Sequence, residues 1–416
     1  MYPFWGELLP MVVVFGLAAL VASVLPLPVS GSDSTRVEPI DGLRGYLALS
    51  VFVFHIFLWE KYLRVGTWGK LDFHFQNHLG QSSVALFFMI TGFLFWRKAC
   101  LGAPPVDWAR LYISRFLRIY PLFFISVLGV MILWFSHNGL ALRVPKFQFV
   151  KESANLLLLT AFSPEPPSFN GDRMVGLLYA GVYWTLPYEA FFYAALPAFA
   201  FLSHRLVPAR YVIVGCASLL GLFLWGPQQA YLWCFAVGAI VALLVRRPEL
   251  SHRLARPHFS FLFFGLLGLL VAVFPGAKSP GAIITLGFMF LIVASGNTLL
   301  GLLLLRPSLT LGRISYGIYL LHGLILWIGV HYFSVIVKDE HPLLTRNWAF
   351  LCTLTLLLVV VSWITYRCVE LPCLGRVGQY TRTIRAACAS TRTWRRRIFS
   401  GPRLNDSPRK PPVAPS

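Results

Sequence analysis

Apolar runs of about 20 residues recur along the whole chain, and they constrain its fold more than any other feature. A helix needs roughly 20 apolar residues to cross a hydrocarbon core of about 30 Å, whereas buried helices of soluble proteins have shorter runs. Of the 416 residues, 57% are hydrophobic and 12% are charged, about half the charged fraction of soluble domains. The pattern predicts an all-α, polytopic transmembrane helix bundle.

We predict eleven membrane spans. Backbone polar groups in lipid must be satisfied within their own segment, so each run is expected to be helical. The first run has Glu7 and no basic residue ahead of it, which favours a retained anchor over a cleaved secretory signal. The expected spans are approximately 8–28, 42–59, 79–96, 116–135, 180–202, 210–226, 229–245, 259–275, 281–304, 316–336 and 347–367.

The distribution of Lys and Arg predicts an orientation, because cytoplasmic loops carry an excess of both residues. When the connections between spans are assigned to alternate sides, one side collects 26 of the 36 basic residues. We therefore expect the N-terminus outside and the C-terminus in the cytoplasm. The net charge of +20 is explained by this topology before any ligand is invoked.

Three parts are expected in the chain: an N-terminal transmembrane anchor (1–35), a membrane domain (36–375) and a basic cytoplasmic tail (376–416). The tail contains Arg395, Arg396 and Arg397, and its Pro-rich end is expected to be disordered. Contact with anionic lipid headgroups is the favoured interpretation. Nucleic-acid binding is disfavoured because the tail has a single Trp and no fold of its own.

Ionisable residues inside apolar runs are costly and usually functional. In the second run, Arg44 and His55 are eleven positions apart, which puts them on one helix face and about 16 Å apart along the axis. A fixed cation and a proton acceptor would then lie at different depths. The alternative to a functional pair is an arginine that snorkels to the membrane interface and a histidine that is packed in the core.

Four arginines are expected to form a basic collar at the cytoplasmic ends of the runs, namely Arg44, Arg97, Arg115 and Arg118. Arginine suits bidentate contacts to phosphate. The alternative is the ordinary basic flank of membrane spans.

Two further runs contain isolated polar groups. Glu189 is the acidic residue of the fifth run, and an unpaired carboxylate there would be expensive, so we expect it to pair with a cation or donor such as His55. Ser315, Tyr319 and His322 follow helical spacing and form one polar stripe. Hydrogen bonding between helices is as good an interpretation of His322 as catalysis.

Taken together, these residues resemble membrane-bound acyltransferase family 3, which includes O-acetyltransferases of O-antigen and exopolysaccharide. The similarity covers about residues 36–375. Its motifs are residues 40–45 with the Arg-ten-residues-His spacing, 87–95, 115–121, 184–193, 312–322 and 370–372. The sequence departs from the family pattern at Glu189, which lacks an adjacent acid, at Thr91, where a serine is common, and in its additional first span.

The resemblance implies transfer of an acyl group, by default acetyl, from cytoplasmic acyl-CoA to a hydroxyl of an extracytoplasmic glycan or glycolipid. It also implies a bacterial inner-membrane location, no resident cofactor and no metal. His55 and Glu189 would be catalytic, and the four arginines would hold the donor. Asp41, Trp184, Tyr193, Tyr319 and His322 would contact substrate or support the site.

The mechanism expected from these roles has His55 as general base and Glu189 as the group that orients it. Tyr319 would donate to the oxyanion, and a covalent acyl-histidine intermediate remains an alternative. A transporter of a glycan or lipid-linked intermediate is the leading rival function, and a non-catalytic scaffold is the second. The identity of the acceptor, the acyl chain length and the oligomeric state stay open.

Overall fold

The computed structural model describes residues 5–26, 37–102, 105–158, 167–225, 229–337, 345 and 347–387. The tail arginines Arg395–Arg397, for which contact with lipid headgroups is predicted, lie outside the described residues. The helices are α1 (Trp5–Val24), α2 (Glu38–Val65), α3 (His74–Trp96), α4 (Trp108–Asn138), α5 (Lys146–Leu157), α6 (Val175–Leu178), α7 (Thr185–Leu202), α8 (Ala209–Trp225), α9 (Gln229–Leu244), α10 (Pro248–Leu254), α11 (Phe259–Val273), α12 (Pro280–Ala294), α13 (Arg306–Val337), α14 (Trp348–Thr365) and α15 (Leu371–Gly375).

The described part of the chain is helical and contains no β-strand, which confirms the all-α prediction. Short irregular turns complete it: π-helical Arg97–Leu101 and Tyr366–Glu370, and 3-10 turns Val182–Trp184 and Leu302–Leu304. Helix ends are set locally. For example, Asp107 accepts a hydrogen bond from the backbone N–H of Arg110 and so caps α4.

Each of the eleven predicted runs overlaps a helix, although α12 ends at Ala294, ten residues before the end of the predicted run 281–304. Among the described residues, six helices are long and apolar enough to cross a membrane, and α9 with α10 forms a further candidate bent by 107°. Four shorter apolar helices lie within α1, α8, α11 and α12. The chain is thus an integral membrane helix bundle, while the count of eleven spans stays a prediction.

Helix α2 runs through the middle of the bundle and is buried over most of its length. The backbones of α2 and α13 are almost in van der Waals contact where the helices cross, because glycines on each helix face the backbone of the other. A Cβ on Gly312 would lie 1.9 Å from the carbonyl oxygen of Asp41, and a Cβ on Gly45 would lie 2.7 Å from the Cβ of Leu311. Small residues allow such close helix approach in membranes. The glycines around Arg44 are therefore packing residues.

Helix α1 packs against α2, α13 and α14. Its ring contact is Phe15 stacked on Tyr46, with centroids 5.9 Å apart. The division of the chain into anchor, domain and tail stays a prediction.

A tight turn connects α6 to α7 and lies against α13. Ala180 and Gly181 have left-handed φ angles of 50° and 67°, and the turn approaches so closely that a Cβ on Gly323 would lie 2.3 Å from the carbonyl carbon of Tyr179. The close approach places the backbone of the turn beside His322. The turn thereby shapes the site described below.

Replacing Gly312 by Ala is expected to destabilise the bundle, because the new methyl group has no space at the α2–α13 crossing. Overpacking of this kind costs about 1–3 kcal/mol or more. The measurement is the thermal unfolding midpoint of the purified protein in detergent. Gly265→Ala is the matched control, since no atom lies within 4 Å of its added Cβ. Equal midpoints for the two variants would contradict the crossing.

Candidate active site

A cavity of about 110 Å³ lies between α2, α3, α4, α7 and α13, and we name it the arginine cavity. Three arginines from two helices face it: Arg44 on α2, and Arg115 and Arg118 on α4. Its remaining polar lining includes Thr91, Thr185, Glu189, Tyr193, Ser315, Tyr316 and Tyr319. Six of the eleven predicted site residues therefore line one cavity.

Each arginine of this cavity is held by a specific neighbour. The Nη1 of Arg44 lies 3.9 Å from an Asp41 carboxylate oxygen, one turn earlier on the same helix. The guanidinium of Arg115 lies over the Phe95 ring, 5.0 Å from its centroid, in a cation–π arrangement. Arg118 pairs with Glu370 at 4.0 Å. Asp41 is therefore a supporting neighbour of Arg44 in this structure.

Arg97 does not belong to this set, although the sequence placed it in the same collar. The α-helix ends at Trp96, and Arg97 opens a π-helical turn. Its guanidinium lies over the ring of Phe93, 5.4 Å from the centroid, and the residue does not line the arginine cavity. Phe93 lies four residues before Arg97, so the two side chains are neighbours on the surface of α3.

Glu189 lies in the arginine cavity. Its carboxylate accepts hydrogen bonds from the Tyr193 hydroxyl at 3.0 Å and from the Thr91 hydroxyl at 3.5 Å, and Arg44 and Arg115 are the cations beside it. No hydrogen bond joins it to His55 within the described residues, so the expected His55–Glu189 pair is wrong. Glu189 lies four residues after Thr185, the first residue of α7, and therefore about 6 Å from it along the helix axis.

His55 instead contacts His322. The Nδ1 of His55 lies 3.1 Å from the Nε2 of His322, and the ring centroids are 4.8 Å apart. His55 is 7% exposed and His322 is fully buried. The α2–α13 crossing thus joins the two histidines that the sequence treated separately.

The partners of the two rings favour one pair of tautomers. Each Nδ1 faces a backbone carbonyl one turn earlier: Val51 at 2.8 Å from His55, and Ile318 at 3.2 Å from His322. A carbonyl oxygen only accepts hydrogen bonds, so these contacts suit the tautomers that carry the proton on Nδ1. In these tautomers the Nε2 of His322 accepts from the Nδ1–H of His55, and the Nε2 of His55 is the nitrogen available to take up a proton.

A second cavity of about 550 Å³ opens at His55, and we name it the histidine cavity. Its wall contains the indole rings of Trp68 and Trp184, and the backbone of the turn at Ala180 and Gly181. The carbonyl of Ala180 lies beside the imidazole ring. His55 therefore lines the larger of the two cavities, whereas the arginines line the smaller one.

The two cavities lie back to back. Trp184 lines the histidine cavity and the next residue, Thr185, lines the arginine cavity. Helix α2 likewise contributes His55 to one chamber and Arg44 to the other. The wall between them is aromatic, with Phe88 packed on Trp184 at 6.4 Å and Phe87 on Tyr319 at 5.9 Å.

Tyr319 is placed at this wall, one turn from His322. Its hydroxyl lies 2.9 Å from the Thr185 hydroxyl and donates to the Val182 carbonyl at 3.3 Å. Tyr193 is placed deeper in the arginine cavity, where it donates to Glu189.

Sequence reasoning missed two partners that the structure brings in. Glu370, 1% exposed, was recognised only as part of a motif, because its pairing with Arg118 spans most of the chain. Thr91 was read only as a variant of a serine. A buried carboxylate requires a cation or donor, and that rule could have directed attention to Glu370.

The helix bundle thus places the arginine cavity next to the histidine cavity. Cations in one cavity and a possible general base in the other are groups that an enzyme for group transfer needs. The family model described as an acyltransferase domain matches residues 38–367. The chain belongs to this acyltransferase family, which confirms the resemblance. It is an integral membrane O-acyltransferase.

Relatives extend over most of the chain. It is 25% identical over 363 residues to Nodulation protein 10 of Rhizobium leguminosarum bv. viciae, covering 78% of this chain and 94% of that protein. It is 26% identical over 357 residues to BcsY of Komagataeibacter xylinus, whose name describes a membrane-bound transacylase, covering 80% and 82%. It is 29% identical over 178 residues to acyltransferase MdmB of Streptomyces mycarofaciens, covering 42% of each chain. No solved structure gives a significant match.

The pair of Arg118 and Glu370 provides a stability prediction. Arg118→Ala leaves the buried Glu370 without its cation and is expected to lower the free energy of unfolding by about 1–3 kcal/mol. This is less than for a fully buried pair, because Arg118 is partly exposed. Removing both side chains removes the uncompensated charge. The Arg118→Ala/Glu370→Ala double variant should therefore unfold at a higher temperature than Arg118→Ala alone. A double variant with additive losses would show that the two groups are uncoupled.

Proposed function

We propose that this enzyme transfers a short acyl group, acetyl by default, from cytoplasmic acyl-CoA to a hydroxyl of a glycan or glycolipid on the other side of the membrane. The observation that carries the proposal is the pair of adjoining cavities. One offers cations to a phosphorylated donor, the other offers a base to a hydroxyl, and α2 contributes a residue to each.

The donor assignment follows from charge. The arginine cavity contains three arginines and one carboxylate among its described residues, so it favours a polyanion. Acyl-CoA carries several phosphate charges at one end and its thioester at the other. We assign the phosphates to Arg115, Arg118 and Arg44, with the thioester end directed towards Tyr319.

The membrane orientation supports the same assignment. The charge distribution predicts the arginine-rich ends of α2 and α4 in the cytoplasm, where acyl-CoA is made. The histidine cavity then opens on the opposite face. Acceptors on that face cannot reach a cytoplasmic enzyme, so a transferase with a site on each side meets the topological requirement.

The chemistry assigned to His55 is general base catalysis. Its Nε2 takes the proton of the acceptor hydroxyl while the oxygen attacks the thioester carbonyl. The tetrahedral intermediate expels the CoA thiolate, and the imidazolium returns its proton to that sulfur. The Nδ1–H remains bonded to the Val51 carbonyl and to His322, which stabilises the imidazolium. His322 thereby replaces Glu189 as the positioning residue.

The acceptor assignment draws on the histidine cavity. The rings of Trp68 and Trp184 offer flat apolar faces with polar edges, which suit the two sides of a sugar ring. The names of two relatives, a transacylase and an acyltransferase, support the reaction class.

His55→Ala should lower acyl transfer by about a hundredfold or more, because a general base contributes roughly 10²–10⁴ in rate. The assay uses inverted membrane vesicles supplied with acetyl-CoA and follows acetylation of the glycan fraction by mass spectrometry. His252→Ala is the matched control, since His252 is exposed on α10, away from both cavities. Turnover retained in His55→Ala would remove this residue from the chemistry.

The arginines can be separated by position. Arg115→Gln is expected to raise the KM for acetyl-CoA, because a cation facing the donor is lost at roughly 1.5–3 kcal/mol per charged hydrogen bond. Arg97→Gln should leave that KM unchanged, because Arg97 points to Phe93. Initial rates at varied acetyl-CoA concentration provide the test. An equal effect of both substitutions would mean that the cations act through general membrane charge.

A further inference from the structure

Two lysines line the histidine cavity, and neither takes part in the reaction described above. Lys70 belongs to the loop after α2, and Lys278 belongs to the loop between α11 and α12. Both side chains are exposed. They come from segments more than 200 positions apart in the chain, so the fold assembles this pair of cations.

Neither lysine is neutralised within the described residues. Nearby Asp72 pairs with Lys61 at 3.2 Å, and Lys61 also donates to the backbone carbonyl of Lys70. This leaves the ammonium group of Lys70 free for another anion. None of the described residues that line the cavity is Asp or Glu. The chamber therefore carries two positive charges that no side chain of the wall offsets.

The neighbouring polar groups are committed to structure. Asn77 fixes the loop by bonding to the backbone N–H and carbonyl of Leu71, and Gln81 accepts from the backbone N–H of Ala277 at 3.2 Å. These bonds hold the two lysine-bearing loops against α3. The cations are thus presented from anchored segments around the entrance to His55.

We propose that the acceptor is an acidic sugar, and that Lys70 and Lys278 bind an anionic group, carboxylate or phosphate, while Trp68 and Trp184 contact its ring. The inference rests on the proposed function, because it assigns the histidine cavity to the acceptor. On the side where the charge distribution places only 10 of the 36 basic residues, two lysines at one chamber without an acidic residue in its described wall favour an anionic ligand.

The test compares two sugars that differ in one carboxylate, p-nitrophenyl β-D-glucuronide and p-nitrophenyl β-D-glucoside. Binding to the purified full chain in phosphatidylcholine vesicles is measured by equilibrium dialysis, which does not require turnover. The wild-type protein should bind the glucuronide about tenfold more tightly, as two partly exposed charge contacts provide. The Lys70→Gln/Lys278→Gln double variant should lose this preference.

Lys151→Gln is the matched control, because Lys151 is exposed on α5 and lines neither cavity; the preference should persist in it. Equal binding of the two sugars by the wild-type protein, or an unchanged preference in the double variant, would overturn the proposal. Vesicles containing phosphatidylglycerol form a second arm. Loss of the wild-type preference there would assign the lysines to lipid headgroups and would also overturn it.

Transfer of acetyl from acetyl-CoA to the same two sugars distinguishes this inference from the function on which it rests. A glucuronide preference in binding without any acetyl transfer, to these sugars or to the glycan fraction, would leave the anionic site standing and count against the transferase role of the cavity. Transfer with equal kcat/KM on both sugars would support the transferase and reject the anionic site.

Discussion

The close crossing of α2 and α13 is the contact on which the rest of the site depends. Glycines on both helices remove the side chains that would hold the backbones apart, and the axes then lie near enough for imidazoles on facing sides to touch. His55 and His322 meet there at 3.1 Å, 267 positions apart in the chain. A wider crossing would separate the histidines and leave the Nδ1–H of His55 with the Val51 carbonyl as its single partner.

Electrostatic compensation organises the other chamber. Arg44 lies beside Asp41, Arg118 beside Glu370, and Glu189 accepts from Tyr193 and Thr91. The two ion-pair distances are close to 4 Å, longer than direct hydrogen bonds. The guanidinium groups are therefore restrained in position while they keep N–H donors for a ligand, as the proposed binding of a phosphorylated donor requires.

The sequence predicted the helices, the family and the four charged residues of the arginine cavity, because apolar runs and buried charges follow from the cost of polar groups in lipid. It could not predict which buried groups touch. Similar depth in the membrane predicted a pair of Glu189 and His55, but depth does not show which way a side chain faces, and Glu189 faces Arg44 and Arg115. In the same way, the position of Arg97 at a helix end does not show that its side chain contacts Phe93. The His55–His322 contact depends on a packing angle between distant segments.

The aromatic wall between the chambers, built from Phe87, Phe88, Trp184 and Tyr319, has a bearing on cell energetics. A continuous water-filled passage through such a bundle would let protons cross the membrane and dissipate their gradient. Rings packed edge to face offer no chain of hydrogen-bonded water across this wall. The proposed transfer of an acyl group between the two chambers is therefore compatible with a bilayer that stays closed to protons.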